Sequence, residues 1–239
     1  MSIPTPGKNW ALFLDIDGTL LDIAPSPDKV EVPATLVPTL SRASDWLGGA
    51  LALASGRTLA EINALMDPLK LPCVAEHGAI LRRPDGTIVR AGPEHAVPGA
   101  WRERLRAAAR DWPGVMVEEK DTGVAVHYRL APAREAEVRD LVLAVAAENP
   151  AAFEVLPARK AFEIRHRALT KALAVTRFMP QPPFAGRVPV FVGDDVTDED
   201  GFSAAVAMGG LALNVADVFG GQPARVRDWL ATFSSSAAS

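Results

Sequence analysis

The sequence predicts an α/β protein: a doubly wound parallel sheet whose chain is interrupted by a second, α+β unit. Three observations carry this. Apolar runs such as WALFLD (Trp10 to Asp15) and VPVFVGDD (Val188 to Asp195) show no polar alternation, as expected of parallel strands covered on both faces. In the first and last thirds of the chain such runs alternate with helical patterns. In the middle the strands change character and alternate apolar with polar residues, which suits a sheet with one solvated face.

WALFLD is the first strand. A helix is expected over about Ala34 to Ala43, where Leu36, Val37 and Leu40 share a side. ALALAS (Ala50 to Ser55) is a second buried strand. In SGRTLAEINALM, Thr58 and Glu61 have the spacing of a capping box, which starts a helix. CVAE (Cys73 to Glu76) is a third strand, and ILRRPDGTIVR reads as a hairpin turning at Pro84, Asp85 and Gly86. The middle begins with a helix marked by Trp101, Leu105, Ala108 and Trp112. VMVEEK (Val115 to Lys120) and VAVHYR (Val124 to Arg129) then alternate, Ala133 to Ala147 is an amphipathic helix, and FEVLP and AFEIR alternate again. The order αββαββ implies an open antiparallel sheet with helices on one face. It is placed at residues 96–168, inserted into a core made of residues 1–95 and 169–239. The last third returns to the first pattern. VPVFVGDD is a strand, Thr197 is expected to cap a helix through about Met208, LALNV is a strand, and Arg225 to Phe233 is a final helix. The small, polar tail from Ser234 to Ser239 is expected to fray.

Composition narrows the function classes. With 239 residues, half of them hydrophobic, the chain can bury a sizeable core. A net charge of −4 suggests neither nucleic acid nor an anionic membrane as partner. The one cysteine, Cys73, excludes an intrachain disulfide and lies in an apolar run, where a buried inert thiol is expected. No apolar run approaches the ~20 residues of a membrane helix, and MSIPTPGKNW has no apolar signal region. A monomer in a reducing cytoplasm is the expectation.

Chemistry is concentrated where two strands end in acids. The C-terminal ends of parallel strands converge on one sheet edge, where ligands bind. Asp15 and Asp194 can therefore meet in space, with Asp17, Asp195 and Asp198 nearby. Such a cluster requires a cation, and oxygen ligands on strand-end loops suit Mg²⁺. Neither acidic stretch fits a calcium-binding EF-hand register, in which glycine stands at the sixth position; DIDGTL has it at the fourth. Ser55, at the end of the second strand, and Lys171, where the chain re-enters the core, could both face a phosphate. In the middle segment Val124, Val126 and Tyr128 share one strand face and His127 and Arg129 the other. Glu118 and Lys120 share a face, as do Glu163 and Arg165. A polar sheet of this kind, placed over a phosphate site, would suit a sugar, whose hydroxyls bidentate charged groups can bind.

DIDGT, ASGR, a later lysine and GDDVTDED, in that order, resemble the haloacid dehalogenase superfamily of phosphotransferases. Within it, EEKDTGVAVHYR (Glu118 to Arg129), AFEIR and GDDVTDEDGF make nearly the whole chain similar to the trehalose-6-phosphate phosphatase family. Gly123 stands where that family often has serine, and Ala172 where glycine usually follows the lysine. The resemblance implies that Asp15 is the nucleophile and Asp17 the general acid and base. It implies Mg²⁺ held by Asp15, the Asp17 carbonyl and Asp194, with Asp195 and Asp198 just outside the direct ligands. Ser55 and Lys171 would clamp the phosphoryl group. Gly18, Thr19, Gly56, Arg57, Glu118, Lys120, His127, Arg129 and Glu163 would contact the substrate, and the inserted segment would be a cap. The implied reaction is Mg²⁺-dependent hydrolysis of trehalose 6-phosphate through an aspartyl-phosphate. The alternatives are the same chemistry on sucrose phosphate or mannosyl-phosphoglycerate, a sugar phosphotransferase or mutase, and a non-enzymatic binding role.

Overall fold

The computed structural model describes residues 2–24, 30–158 and 160–233. The tail expected to fray lies outside these residues. In chain order the elements are β1 (Trp10–Leu14), α1 (Leu36–Trp46), β2 (Leu51–Ala54), α2 (Leu59–Leu65), β3 (Cys73–Ala75), β4 (Ile80–Arg82), β5 (Ile88–Arg90), α3 (Gly99–Arg110), β6 (Met116–Glu119), β7 (Val124–His127), α4 (Glu135–Ala146), β8 (Phe153–Ala158), β9 (Ala161–His166), α5 (Ala172–Phe178), β10 (Val188–Gly193), α6 (Glu199–Ala207), β11 (Leu211–Asn214), α7 (Val215–Phe219) and α8 (Pro223–Ala231). The chain forms two compact units, Met1–Arg90 with Thr170–Ser239, and Ala91–Leu169.

The first unit holds a seven-stranded sheet in the order β11-β10-β1-β2-β3-β4-β5. β11, β10, β1, β2 and β3 are parallel, and β3, β4 and β5 pair antiparallel. From β1 the chain builds outward through β2 and β3 on one side, and later through β10 and β11 on the other. The strand order therefore reverses between β1 and β10, the switch point at which doubly wound sheets bind ligands. β1 and β2 are buried along their whole length, which explains their unbroken apolar sequences. α1 packs with α8 and α5 with α6. Phe13 is fully buried and stacks on Phe184 and Phe178 at 5.6 and 6.5 Å, fixing β1 from one face.

Two expectations need correction, and one helix was missed. Thr197 does not cap the helix after β10. Asp195 does: its carboxylate accepts from the Thr197 N–H at 2.5 Å, opening a short 3-10 turn that runs into α6. α7 was not anticipated; Asn214 caps it by accepting from the Ala216 N–H at 2.8 Å, and Gly220 ends it at φ +66°. β7 stops at His127, so Arg129 lies in the following turn and strand alternation does not put it on a face with His127.

The second unit is a four-stranded antiparallel sheet, β6-β7-β9-β8. Val124, Val126, Ile164 and Phe153 on one face form a core with Trp101 and Leu105 of α3 and Val138, Val142 and Val145 of α4. The other face carries Glu118, His127, Glu163 and Arg165. Among the described residues no helix is long and apolar enough to cross a membrane.

Truncating Phe13 should test the packing that holds β1. Phe13→Ala is expected to cost about 3–5 kcal/mol, read by urea unfolding; a loss below about 1 kcal/mol would mean that the site relaxes around the cavity.

Candidate active site

β1 ends one residue before Asp15 and β10 one residue before Asp194. The two strands pair with Leu14 beside Val192, and the Asp15 N–H continues the ladder by donating to the Val192 carbonyl at 3.0 Å. The two acids are brought together by this register. The Thr19 hydroxyl lies between them, 3.2 Å from Asp15 Oδ2 and 3.3 Å from Asp194 Oδ1. Gly18 makes the approach possible. Its φ is +80°, and a Cβ there would lie 2.0 Å from an Asp194 carboxylate oxygen.

Lys171 is buried just before α5 and donates to Asp15 Oδ1 at 2.7 Å and to Asp198 Oδ1 at 2.8 Å. The other oxygen of Asp198 accepts from the N–H groups of Asp194 and Asp195, both at 3.1 Å. Asp198 is fully buried. One carboxylate therefore anchors the lysine and also fixes the loop that carries Asp194.

One ammonium does not compensate this cluster. Burial raises the Asp15 carboxyl to about 7 against the pull of Lys171. Burial, with the repulsion of Asp15 and Asp195, raises Asp194 to about 7 as well. Asp198 is also raised by burial. Lys171 moves up in spite of burial, because Asp15 and Asp198 hold its proton. Oxygens of Asp15, Asp194 and Asp198 lie within 4.8 Å of one another, an arrangement able to hold a divalent metal. The residues fit such an ion. Of the three, Asp198 has both oxygens engaged by nitrogen donors, which leaves Asp15 and Asp194 as the carboxylates with capacity to bind it.

Ser55 follows β2 and is buried; its hydroxyl accepts from the Arg57 N–H at 3.2 Å. The Arg57 guanidinium grips Asp17 bidentately, Nε to Oδ2 at 2.7 Å and Nη2 to Oδ1 at 2.6 Å. The Thr58–Glu61 capping box starts α2 as its spacing predicts, and so fixes the chain just beyond Arg57. The next turn was not foreseen. After β3, Glu76 and His77 are both left-handed at φ 47° and 56°. For residues other than glycine this costs about 1–3 kcal/mol each. Neither apolar periodicity nor a turn motif marks them; Gly78 is the only local sign.

On the polar face of the second unit Glu118 pairs with His127 at 2.7 Å, and this hydrogen bond holds the Glu118 carboxyl below its usual range. Lys120 pairs with Glu163 at 2.6 Å, with both side chains largely buried. Arg165 donates to Glu154 at 2.9 Å. Gly123 sits against this group: a Cβ there would lie 3.3 Å from Glu163 Oε1.

The raised carboxyls predict a pH-dependent stability of the metal-free protein. The ordinary value of Asp194 is 3.8 and its folded value about 7. Between the two the folded state binds more protons, so this group's contribution to stability falls as pH rises through that window. Asp194→Asn should therefore melt higher than the parent in EDTA at pH 8, with the gain shrinking toward pH 4. An equal melting temperature at both pH values would show that Asp194 is compensated without metal.

Residues 13–225 match the trehalose-phosphatase family. A Sinorhizobium fredii protein named "Probable trehalose-phosphate phosphatase" is 42% identical over 214 residues, 90% of this chain and 80% of that protein. The trehalose-6-phosphate phosphatase of Escherichia coli is 34% identical over 212 residues, covering 89% and 79%. In structure, the C-terminal domain of the Candida albicans trehalose-6-phosphate phosphatase superposes with a TM-score of 0.74 at 19% identity, covering 95% of this chain and 92% of that one. The chain belongs to the trehalose-phosphatase family, on the fold of the haloacid dehalogenase superfamily phosphatases.

Proposed function

We propose that this protein hydrolyses trehalose 6-phosphate to trehalose and phosphate, with Mg²⁺ as its metal and Asp15 as its nucleophile. The observation that carries the reading is Asp15 itself: a buried carboxylate at the switch point of the sheet, oriented by Lys171 and accompanied by Asp194 and Thr19. The relatives' names supply the substrate.

In the first step an Asp15 oxygen attacks phosphorus, the bond from phosphorus to the sugar oxygen breaks, and Asp17 delivers a proton to that leaving oxygen. In the second step water attacks the aspartyl-phosphate, Asp17 takes its proton, and the bond from phosphorus to Asp15 breaks. Asp17 has both oxygens on Arg57, so proton transfer requires at least one of those bonds to be exchanged. Lys171 and Ser55 supply donors to the phosphoryl oxygens. Mg²⁺, held by Asp15, Asp194 and the Asp17 carbonyl, would neutralise the acids and draw charge from the phosphoryl group. Asp195 and Asp198 support this arrangement from outside. The inserted unit is read as the cap, with Glu118, Lys120, His127, Arg129 and Glu163 recognising the sugar hydroxyls. A sugar-phosphate substrate and a single buried thiol fit a cytoplasmic setting.

A panel of sugar phosphates, assayed with and without Mg²⁺ and with product analysis, tests the reading. Release of trehalose and phosphate is expected. Transfer of the phosphoryl group to a second sugar would make the protein a phosphotransferase, and preference for another ester would replace the substrate. Asp15→Asn should fall to background turnover while staying folded, and substantial turnover would exclude the covalent route. EDTA should abolish activity and Mg²⁺ restore it, with Ca²⁺ a poor substitute; full activity in a verified metal-free protein would contradict the assignment.

The sugar-reading residues predict a selective loss. Glu118→Ala, Lys120→Ala and Glu163→Ala should each lower kcat/KM on trehalose 6-phosphate by about 10- to 150-fold. p-Nitrophenyl phosphate, which has no sugar hydroxyls, should be affected much less. Equal losses on both substrates would assign these residues to supporting the fold, and no loss on either would make the polar face a solvated surface.

A further inference from the structure

The left-handed turn at Glu76 and His77 has no part in the mechanism above, yet it touches the loop that holds Ser55 and Arg57. Regular parallel pairing from β2 to β3 ends with the Ser55 N–H donating to the Val74 carbonyl at 2.9 Å. Beyond that point the ladder breaks its register, since a regular parallel continuation would have the Glu76 N–H donate to the Ser55 carbonyl. The Glu76 N–H donates to the Arg57 carbonyl at 2.9 Å and the His77 N–H to the Ser55 carbonyl at 3.0 Å. In an extended strand consecutive N–H groups point to opposite sides, so two successive donors can reach one loop only if the backbone coils. The positive φ values of Glu76 and His77 provide that coil. Gly78 follows at φ +129°, where a Cβ would meet Leu173 at 2.7 Å.

The ring of His77 adds a second restraint. A Cβ on Gly56 would lie 2.4 Å from its Nε2 and 2.5 Å from its Cε1. The imidazole thus fills the space that any side chain at the centre of Ser55-Gly56-Arg57 would need. His77 is buried, so the ring has little room to withdraw. We propose that His77 is a positioning residue for phosphoryl transfer: its ring, wedged on Gly56, and its backbone N–H, bound to Ser55, hold the Ser55 hydroxyl and the Arg57 guanidinium in register with Asp15 and Asp17.

This inference rests on the phosphatase reading for its readout, and the test separates the two. His77→Asn, Gly56→Ala and the double variant are compared on p-nitrophenyl phosphate and on trehalose 6-phosphate. Inhibition by orthophosphate reports the phosphate-binding loop, and urea unfolding verifies the fold. Asparagine tolerates a left-handed backbone, so His77→Asn keeps the turn and removes the ring. It should lower kcat/KM on both substrates by roughly 10- to 100-fold, the scale of a displacement of about 1 Å in a catalytic group, and weaken orthophosphate inhibition in parallel. Gly56→Ala should be at least as damaging. In the Gly56→Ala background, His77→Asn should raise activity, because the clash disappears. That reversal of sign shows that the ring and the residue at 56 compete for one space, and a parallel loss of orthophosphate inhibition at unchanged urea stability is what a merely structural histidine would not give. Parent-like kcat/KM in His77→Asn, or single losses that multiply in the double variant, would overturn the proposal. A parent protein that cleaves p-nitrophenyl phosphate but ignores trehalose 6-phosphate would refute the proposed substrate and leave the His77 test intact.

Discussion

The Lys171 ammonium, between Asp15 and Asp198, is the interaction on which the rest of the site depends. It joins residues 156 and 27 positions apart in the chain, all of them buried. A buried lysine without carboxylates would lose its proton, and the carboxylates without it would take protons up. Removing either partner leaves an uncompensated buried charge, which is far costlier than losing a surface ion pair. Lys171 follows directly on the return of the chain to the first unit at Thr170. The pair therefore fixes the start of α5 as well as Asp15.

Asp198 extends the same constraint to the other side of the site. One of its oxygens holds Lys171 while the other holds the backbone of Asp194 and Asp195. The position of Asp194 is thus tied to the charge state of a residue that does not itself need to touch a metal or substrate. Gly18 allows the first loop to close on Asp194, and Thr19 bridges the two acids. The remaining imbalance, three carboxylates around one ammonium, makes a divalent cation the natural complement.

Much of this is legible in the sequence because parallel strands buried on both faces must read as apolar runs. An acid at the end of such a run stands out, and the order of strands sends Asp15 and Asp194 to the same edge. The Thr58–Glu61 box is equally plain, since its side chains satisfy local backbone donors whatever the tertiary structure. Thr197 misled because it and Asp195 are both good caps, and the burial of Asp198 decides between them. Arg129 was placed by extending alternation past the point where β7 ends. α7 is a single short helix after a strand, too brief to show a period, and its signals are the cap at Asn214 and the glycine at 220. Glu76 and His77 were invisible because their conformation is set by hydrogen bonds to a loop about twenty residues earlier, not by any local preference.

The most direct test is the proton balance of metal binding. Asp15 and Asp194 titrate near 7 in the metal-free protein, and both must be ionised to hold a divalent cation. Mg²⁺ binding followed by calorimetry at pH 7, in two buffers of different ionisation enthalpy, should show release of about one proton per protein, falling away at pH 9. Binding with no proton release at pH 7 would mean that the acids are already ionised, and that the cluster is compensated by something other than Lys171 and the metal.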